Sequence, residues 1–88
     1  MEQSEITNIA YDILSWVQSA CSDLANNNEI EAERLYNDKD TLADLIMQKA
    51  YDDSHFDAHV KMQIIKEIYE ITYHSLIKEI CREYIGVE

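Results

Sequence analysis

The 88 residues predict one all-α domain, 1–88, of four helices: two of them short, and one long C-terminal helix over about 54–85. Three observations carry this expectation. The chain has no proline and a single glycine, Gly86, two residues from its end, whereas a sheet of short strands needs turns that lean on those residues. Hydrophobic residues make up 47% of the chain, enough for a core and against disorder despite the charge. Finally, apolar positions recur at spacings of three and four rather than two.

In the first helix, Ile6, Ile9, Ala10, Ile13, Val17, Ala20, Cys21 and Leu24 form one stripe. Ser4 is the expected N-cap, with Glu5 in the first turn, where the helix dipole favours an anion. Asn26, Asn27 and Asn28 end it, because asparagine tolerates the left-handed conformation. Asn28 with Glu31 resembles a capping box and opens a short helix through Tyr36, which Asn37 and Asp38 break. Asp40 or Thr41 is expected to cap a third helix carrying Leu42, Leu45, Ile46 and Ala50 on one face. Asp52 and Asp53 end that helix badly, since anions oppose the negative end of the dipole.

Ser54 and Asp57 are the caps of the long helix, and Gly86 is its stop. At 1.5 Å per residue it would span roughly 45 Å. Val60, Ile64, Ile68 and Ile71 form one apolar row; Ile65, Tyr69, Leu76, Ile80 and Tyr84 form another. A helix apolar on two faces must bury both. The expectation is a homodimer with Ile68, Tyr69, Tyr73, Leu76 and Ile80 in its interface.

Charge is the strongest functional signal. Eighteen acidic and seven basic residues give a net charge of −11. Residues 1–60 hold 13 acidic and 3 basic residues; residues 61–88 hold 5 and 4. Such a balance argues against nucleic acid or an anionic membrane as direct ligand, because both reward lysine and arginine, and favours a basic protein. Glu29 and Glu33, Asp40 and Asp44, and Asp53 and Asp57 are each four apart, which on a helix separates carboxylates by about 6 Å along the axis. That spacing resembles phosphates along a nucleic-acid backbone. Like charges so placed cost roughly 0.2–0.5 kcal/mol per pair, so their retention argues for use; a solvated acidic face is the plainer reading.

No catalytic or cofactor signature accompanies the charge. His55 and His59 are four apart, a spacing that lets two imidazoles share a metal, but no HExxH is present and neighbouring carboxylates alone account for two surface histidines. Glu67, Glu70 and His74 lack the further glutamates of a di-iron bundle. No serine or cysteine has a recognisable base, and glycine-rich phosphate loops are absent. Cys21 and Cys81 form no CxxC pair and read as buried small residues, reduced in a cytoplasmic setting. The N-terminus, MEQSEITNIAYDI, lacks the pattern of a signal peptide, and no stretch approaches the roughly 18 apolar residues of a membrane span. Trp16, Tyr11 and Tyr36 are candidates for either core or interface.

The segments "AYDIL" at Ala10–Leu14 and "DTLADLIMQKA" at Asp40–Ala50 resemble parts of the Ocr-type antirestriction proteins of phage, in the placing of Asp40, Leu42, Asp44, Ile46 and Ala50. The likeness covers under a quarter of the chain, and the acidic tail of that family is replaced here by a nearly neutral end. The resemblance implies a phage-type DNA mimic or defence inhibitor, a class that also includes small acidic anti-CRISPR proteins. The expected function is thus a non-enzymatic inhibitor, without cofactor or metal, that occupies the basic nucleic-acid-binding groove of a host restriction or CRISPR complex. Its partner surface would be Glu29, Glu31, Glu33, Asp38, Asp40, Asp44, Asp52, Asp53 and Asp57. Alternatives are an immunity or regulatory protein for one basic partner, and a structural helical module.

Overall fold

The computed structural model describes residues 2–52 and 54–86. Five α-helices follow one another: α1 (Gln3–Leu24), α2 (Glu29–Tyr36), α3 (Lys39–Met47), α4 (Ala58–Ile71) and α5 (Ser75–Ile85), with a π-helical turn (Gln48–Asp52) continuing α3. The longest helix is the first. No strand occurs among the described residues.

Helix α1 buries Ile6, Ala10, Ile13, Val17 and Cys21, one residue per turn. Its cap is Glu2 rather than Ser4, and the Glu2 side chain makes no capping bond; the Glu2 carbonyl instead accepts from the N–H groups of Glu5 and Ile6 at 3.1 and 3.2 Å. Asn26 and Asn27 do end the helix in the left-handed region, at φ 53° and 62°. The Asn28 side chain accepts from the Glu31 N–H at 3.0 Å, but only half of the capping box forms, because the Glu31 carboxylate turns to Arg34. Asp38 caps α3, two residues earlier than Asp40, accepting from the Thr41 N–H at 3.1 Å and the Thr41 hydroxyl at 2.5 Å. The threonine hydroxyl adds a second bond to that carboxylate, which favours Asp38 over its neighbour.

The unfavourable end of the third helix is resolved from elsewhere in the chain. The Lys61 ammonium donates to the Tyr51 carbonyl at 2.9 Å and lies 5.2 Å from the Tyr51 ring. A cation thereby supplies the charge that a helix C-terminus prefers. Tyr84 of α5 packs on the same ring, centroids 5.1 Å apart.

The expected helix over 54–85 is two helices. An unbroken rod of roughly 45 Å would exceed the longest dimension of the molecule, 38 Å. Thr72 leaves the helix at ψ 141°, in the run Ile71-Thr72-Tyr73-His74, whose members are all weak helix formers. Side chains then satisfy the released backbone groups. The Thr72 hydroxyl accepts from the His74 N–H at 3.1 Å, His74 Nδ1 accepts from the Leu76 N–H at 3.2 Å, and Lys78 donates to the Tyr69 carbonyl at 2.8 Å. His74 Nε2–H donates to the Tyr36 carbonyl at 2.6 Å, tying the break to α2. No proline or glycine is needed. Asp57 is the N-cap of α4, through the Val60 N–H at 2.9 Å, and Gly86 stops α5 at φ 79°.

The break lets α5 fold back on α4 and α3, while α1 lies against α4, α2 and α3. The two apolar rows therefore cover each other within one chain. Leu42, Ile46, Ile64, Ile65, Ile68 and Ile77 are almost wholly buried, together with Val17, Cys21 and Cys81. Burying such a side chain contributes about 1.5–3 kcal/mol, so those six outweigh the few tenths lost at each like-charge pair. Helix α2 buries no residue completely and lends only Leu35 and Tyr36 to the edge of the core.

Candidate acidic surface and apolar cavity

The predicted partner residues do not form one continuous row. Glu29 and Glu33 are exposed one turn apart on α2; Asp40 and Asp44 are exposed one turn apart on α3. These two helices pack against each other, so four carboxylates sit on adjoining elements. Asp52 and Asp57, also exposed, flank the link between the π-helical turn and α4. Asp53 lies outside the described residues. Glu31 and Asp38 are already engaged. Arg34 holds the Glu31 carboxyl below the usual carboxylate range, and the Thr41 hydroxyl and N–H do the same for Asp38. Glu2, which caps α1, and Glu5, Asp12 and Asp23 within it are exposed as well. Their positions off the apolar stripe of that helix would have revealed them.

Several of the cations are engaged by other parts of the fold. Lys39 bonds Glu79 and Glu83 at 3.2 and 2.9 Å, which places it against the acids of α5. Arg34 pairs with Glu31. Lys61 and Lys78 cap carbonyls, and Lys49 lies 5.1 Å from the centre of the Trp16 ring. Exposed pairs of this kind add little stability, but they decide where positive charge is presented. Four of these five cations reach partners outside their own helix, and none of the five is ion-paired with Glu29, Glu33, Asp40 or Asp44.

Of the residues expected in a dimer interface, Ile68 and Ile80 are buried in the chain's own core, and Tyr69 and Leu76 are half-buried against it. Tyr73 alone is fully exposed. The reason is the break at 72–74, which gives both apolar rows a partner inside the chain. Trp16 is packed against the core, and Tyr11 is exposed.

His55 and His59 are exposed and lie on either side of the start of α4, so they do not share one helical face. Among the described residues no group of three His, Cys, Asp or Glu is placed to hold a metal ion. Glu67 accepts from Gln3 at 3.0 Å and from the Thr7 hydroxyl. Burial pushes both thiols up, Cys81 to about 12. Burial thus disfavours the thiolate form of both. No helix among the described residues is long and apolar enough to cross a membrane.

A cavity of about 430 Å³ opens between α1, the π-helical turn, the link at 54–57 and α4. Of its lining, Ile13, Ala50 and Ile64 are buried and form the floor; Ile9, Lys49, Ser54 and Phe56 are half-buried, and Asp12 and His55 are exposed. The Ser54 hydroxyl accepts from the Phe56 N–H at 3.2 Å and fixes that part of the lining. Phe56, the one large apolar residue in "DDSHFDAH", was the sequence signal for this feature. A shallower depression of about 270 Å³ lies over the break, lined by Tyr11, Tyr36, Tyr73 and His74 among others and by no Asp, Glu, Lys or Arg.

Compared with protein-family models, with curated proteins and with solved structures, the chain finds no match in any of the three.

Proposed function

We propose that the chain is a non-enzymatic inhibitor of the phage anti-defence kind. It would present carboxylates in place of phosphates to the basic nucleic-acid-binding groove of a host restriction or CRISPR complex. The observation that carries this reading is the pair of exposed carboxylate couples, Glu29 with Glu33 and Asp40 with Asp44, on adjoining helices of a chain with net charge −11. Their spacing of about 6 Å along each axis suits cationic side chains that otherwise hold phosphates. The nearly neutral stretch 61–88 leaves that charge concentrated in the first two thirds of the chain.

The same couples would also serve an immunity or regulatory protein bound to one basic partner. Competition separates the two. A partner recovered from bacterial lysate and identified by mass spectrometry is titrated with the chain in the presence of a duplex oligonucleotide. Groove occupation requires that the duplex and the chain exclude each other. Simultaneous binding of both to the partner would replace the inhibitor reading with the regulatory one.

A further inference from the structure

Exposed carboxylates steer a basic partner toward the chain but hold it weakly, because their attraction is screened over about 8 Å at physiological ionic strength and exposed ion pairs contribute little to affinity. Complexes that last usually rest on a few side chains seated in desolvated pockets. Among the cavities described above, the one between α1, the π-helical turn and α4 is the one with a floor of fully buried apolar residues, Ile13, Ala50 and Ile64. Its volume of about 430 Å³ falls within the range of about 300–1,000 Å³ in which proteins hold compact ligands.

We infer that this cavity is an anchor site, taking one large apolar side chain that a partner presents between lysines or arginines. The choice of occupant follows from charge. Asp12, which is exposed, belongs to the lining, and the exposed Asp52 and Asp57 are close in sequence to the lining residues Ala50, Ser54 and Phe56. The cation in the lining, Lys49, lies over the Trp16 ring. An apolar group arriving with positive neighbours is attracted on approach, and one flanked by acids is repelled by a chain of net charge −11. A π-helical turn forms one wall, a feature often found where a helix is adapted for binding. The inference rests on the basic-partner reading above and assigns to it the contact that slows dissociation.

The test uses three amide-blocked tripeptides as probes, Lys-Phe-Lys, Lys-Ala-Lys and Glu-Phe-Glu, titrated into the full chain while methyl NMR signals are followed. Lys-Phe-Lys is expected to shift the methyls of Ile9, Ile13, Ala50 and Ile64 saturably, with the other two peptides at least tenfold weaker. Ile9→Phe, which fills the cavity from its wall, is expected to weaken Lys-Phe-Lys at least tenfold while thermal unfolding shows the domain intact. Should that variant fail to fold, the three peptides on the parent chain still decide. Lys-Phe-Lys acting like Lys-Ala-Lys, on surface signals alone, overturns the anchor and leaves the acidic-surface reading untouched. Equal responses to Lys-Phe-Lys and Glu-Phe-Glu overturn the choice of a basic partner's side chain. A duplex that fails to compete for the partner, with the Lys-Phe-Lys response intact, supports the anchor and sinks only groove mimicry.

Discussion

Replacing His74 by alanine tests why residues 54–85 fold as two helices. The imidazole makes three interactions at the break. Its Nδ1 caps α5 through the Leu76 N–H, its Nε2–H donates to the Tyr36 carbonyl, and its edge meets the Tyr36 ring at 4.6 Å and 88°. A side-chain cap contributes about 1 kcal/mol, a part-buried hydrogen bond about 1 kcal/mol, and an aromatic edge contact about 0.5–1.5 kcal/mol. Because one residue supplies all three, they do not add fully, and the expected loss is about 2–3 kcal/mol. In a domain of this size each kcal/mol moves the thermal midpoint by about 4–8 °C, so His74→Ala should melt about 8–24 °C below the parent. Circular dichroism at 222 nm, with urea unfolding alongside, measures both quantities. His74→Asn, which can restore the cap but neither the bond to Tyr36 nor the ring contact, should recover about a third to a half. A His74→Ala midpoint within 2 °C of the parent would mean that the break is set by packing of α5 on α3 and α4 alone.

Leu42→Ala, at a fully buried position of α3, should cost about 2–5 kcal/mol, read from urea unfolding; a smaller loss would mean that the core under α3 collapses around the gap. Cys21 and Cys81 are buried with raised thiols, so Ellman's reagent should label neither in the native chain and both in denaturant; rapid native labelling would contradict their burial. The lowered carboxyls of Asp38 and Glu31 contribute stability that is fully present above the ordinary carboxylate range, about 4, and is lost as pH falls through their folded values. Thr41→Val removes the hydroxyl that holds Asp38 down, and should therefore reduce the loss of stability between pH 5 and 2; an unchanged acid limb would count against it.

The helical class, the short second and third helices and several caps were legible in the sequence because each depends on residues within one turn. Asn28, Asp57 and Gly86 act where their chemistry places them. The break at 72–74 was not legible. The apolar rows run straight through it, and it is fixed by contacts distant in sequence, above all His74 with the Tyr36 carbonyl 38 residues away. The homodimer expectation rested on the same unbroken helix, which would have left two rows uncovered. The acidic character was visible as composition, but its division was not. Asp38 and Asp57 cap helices and Glu31 pairs with Arg34, whereas Glu29, Glu33, Asp40 and Asp44, exposed like Asp57, take no part in those caps or that pair. The cavity escaped notice because its walls come from four separate segments.

Neutralising those four exposed carboxylates measures what they do. Glu29→Gln, Glu33→Gln, Asp40→Asn and Asp44→Asn together keep size and touch none of the three residues just named as caps or as the partner of Arg34. Relief of two like-charge couples should leave the unfolding midpoint unchanged or slightly raised. Binding to the basic partner, followed by surface plasmon resonance at several salt concentrations, should lose about tenfold or more in association rate and most of its salt dependence, with dissociation changed less. Association equal to that of the parent chain at every salt concentration would contradict a role for this surface in binding and leave it a solvated acidic face.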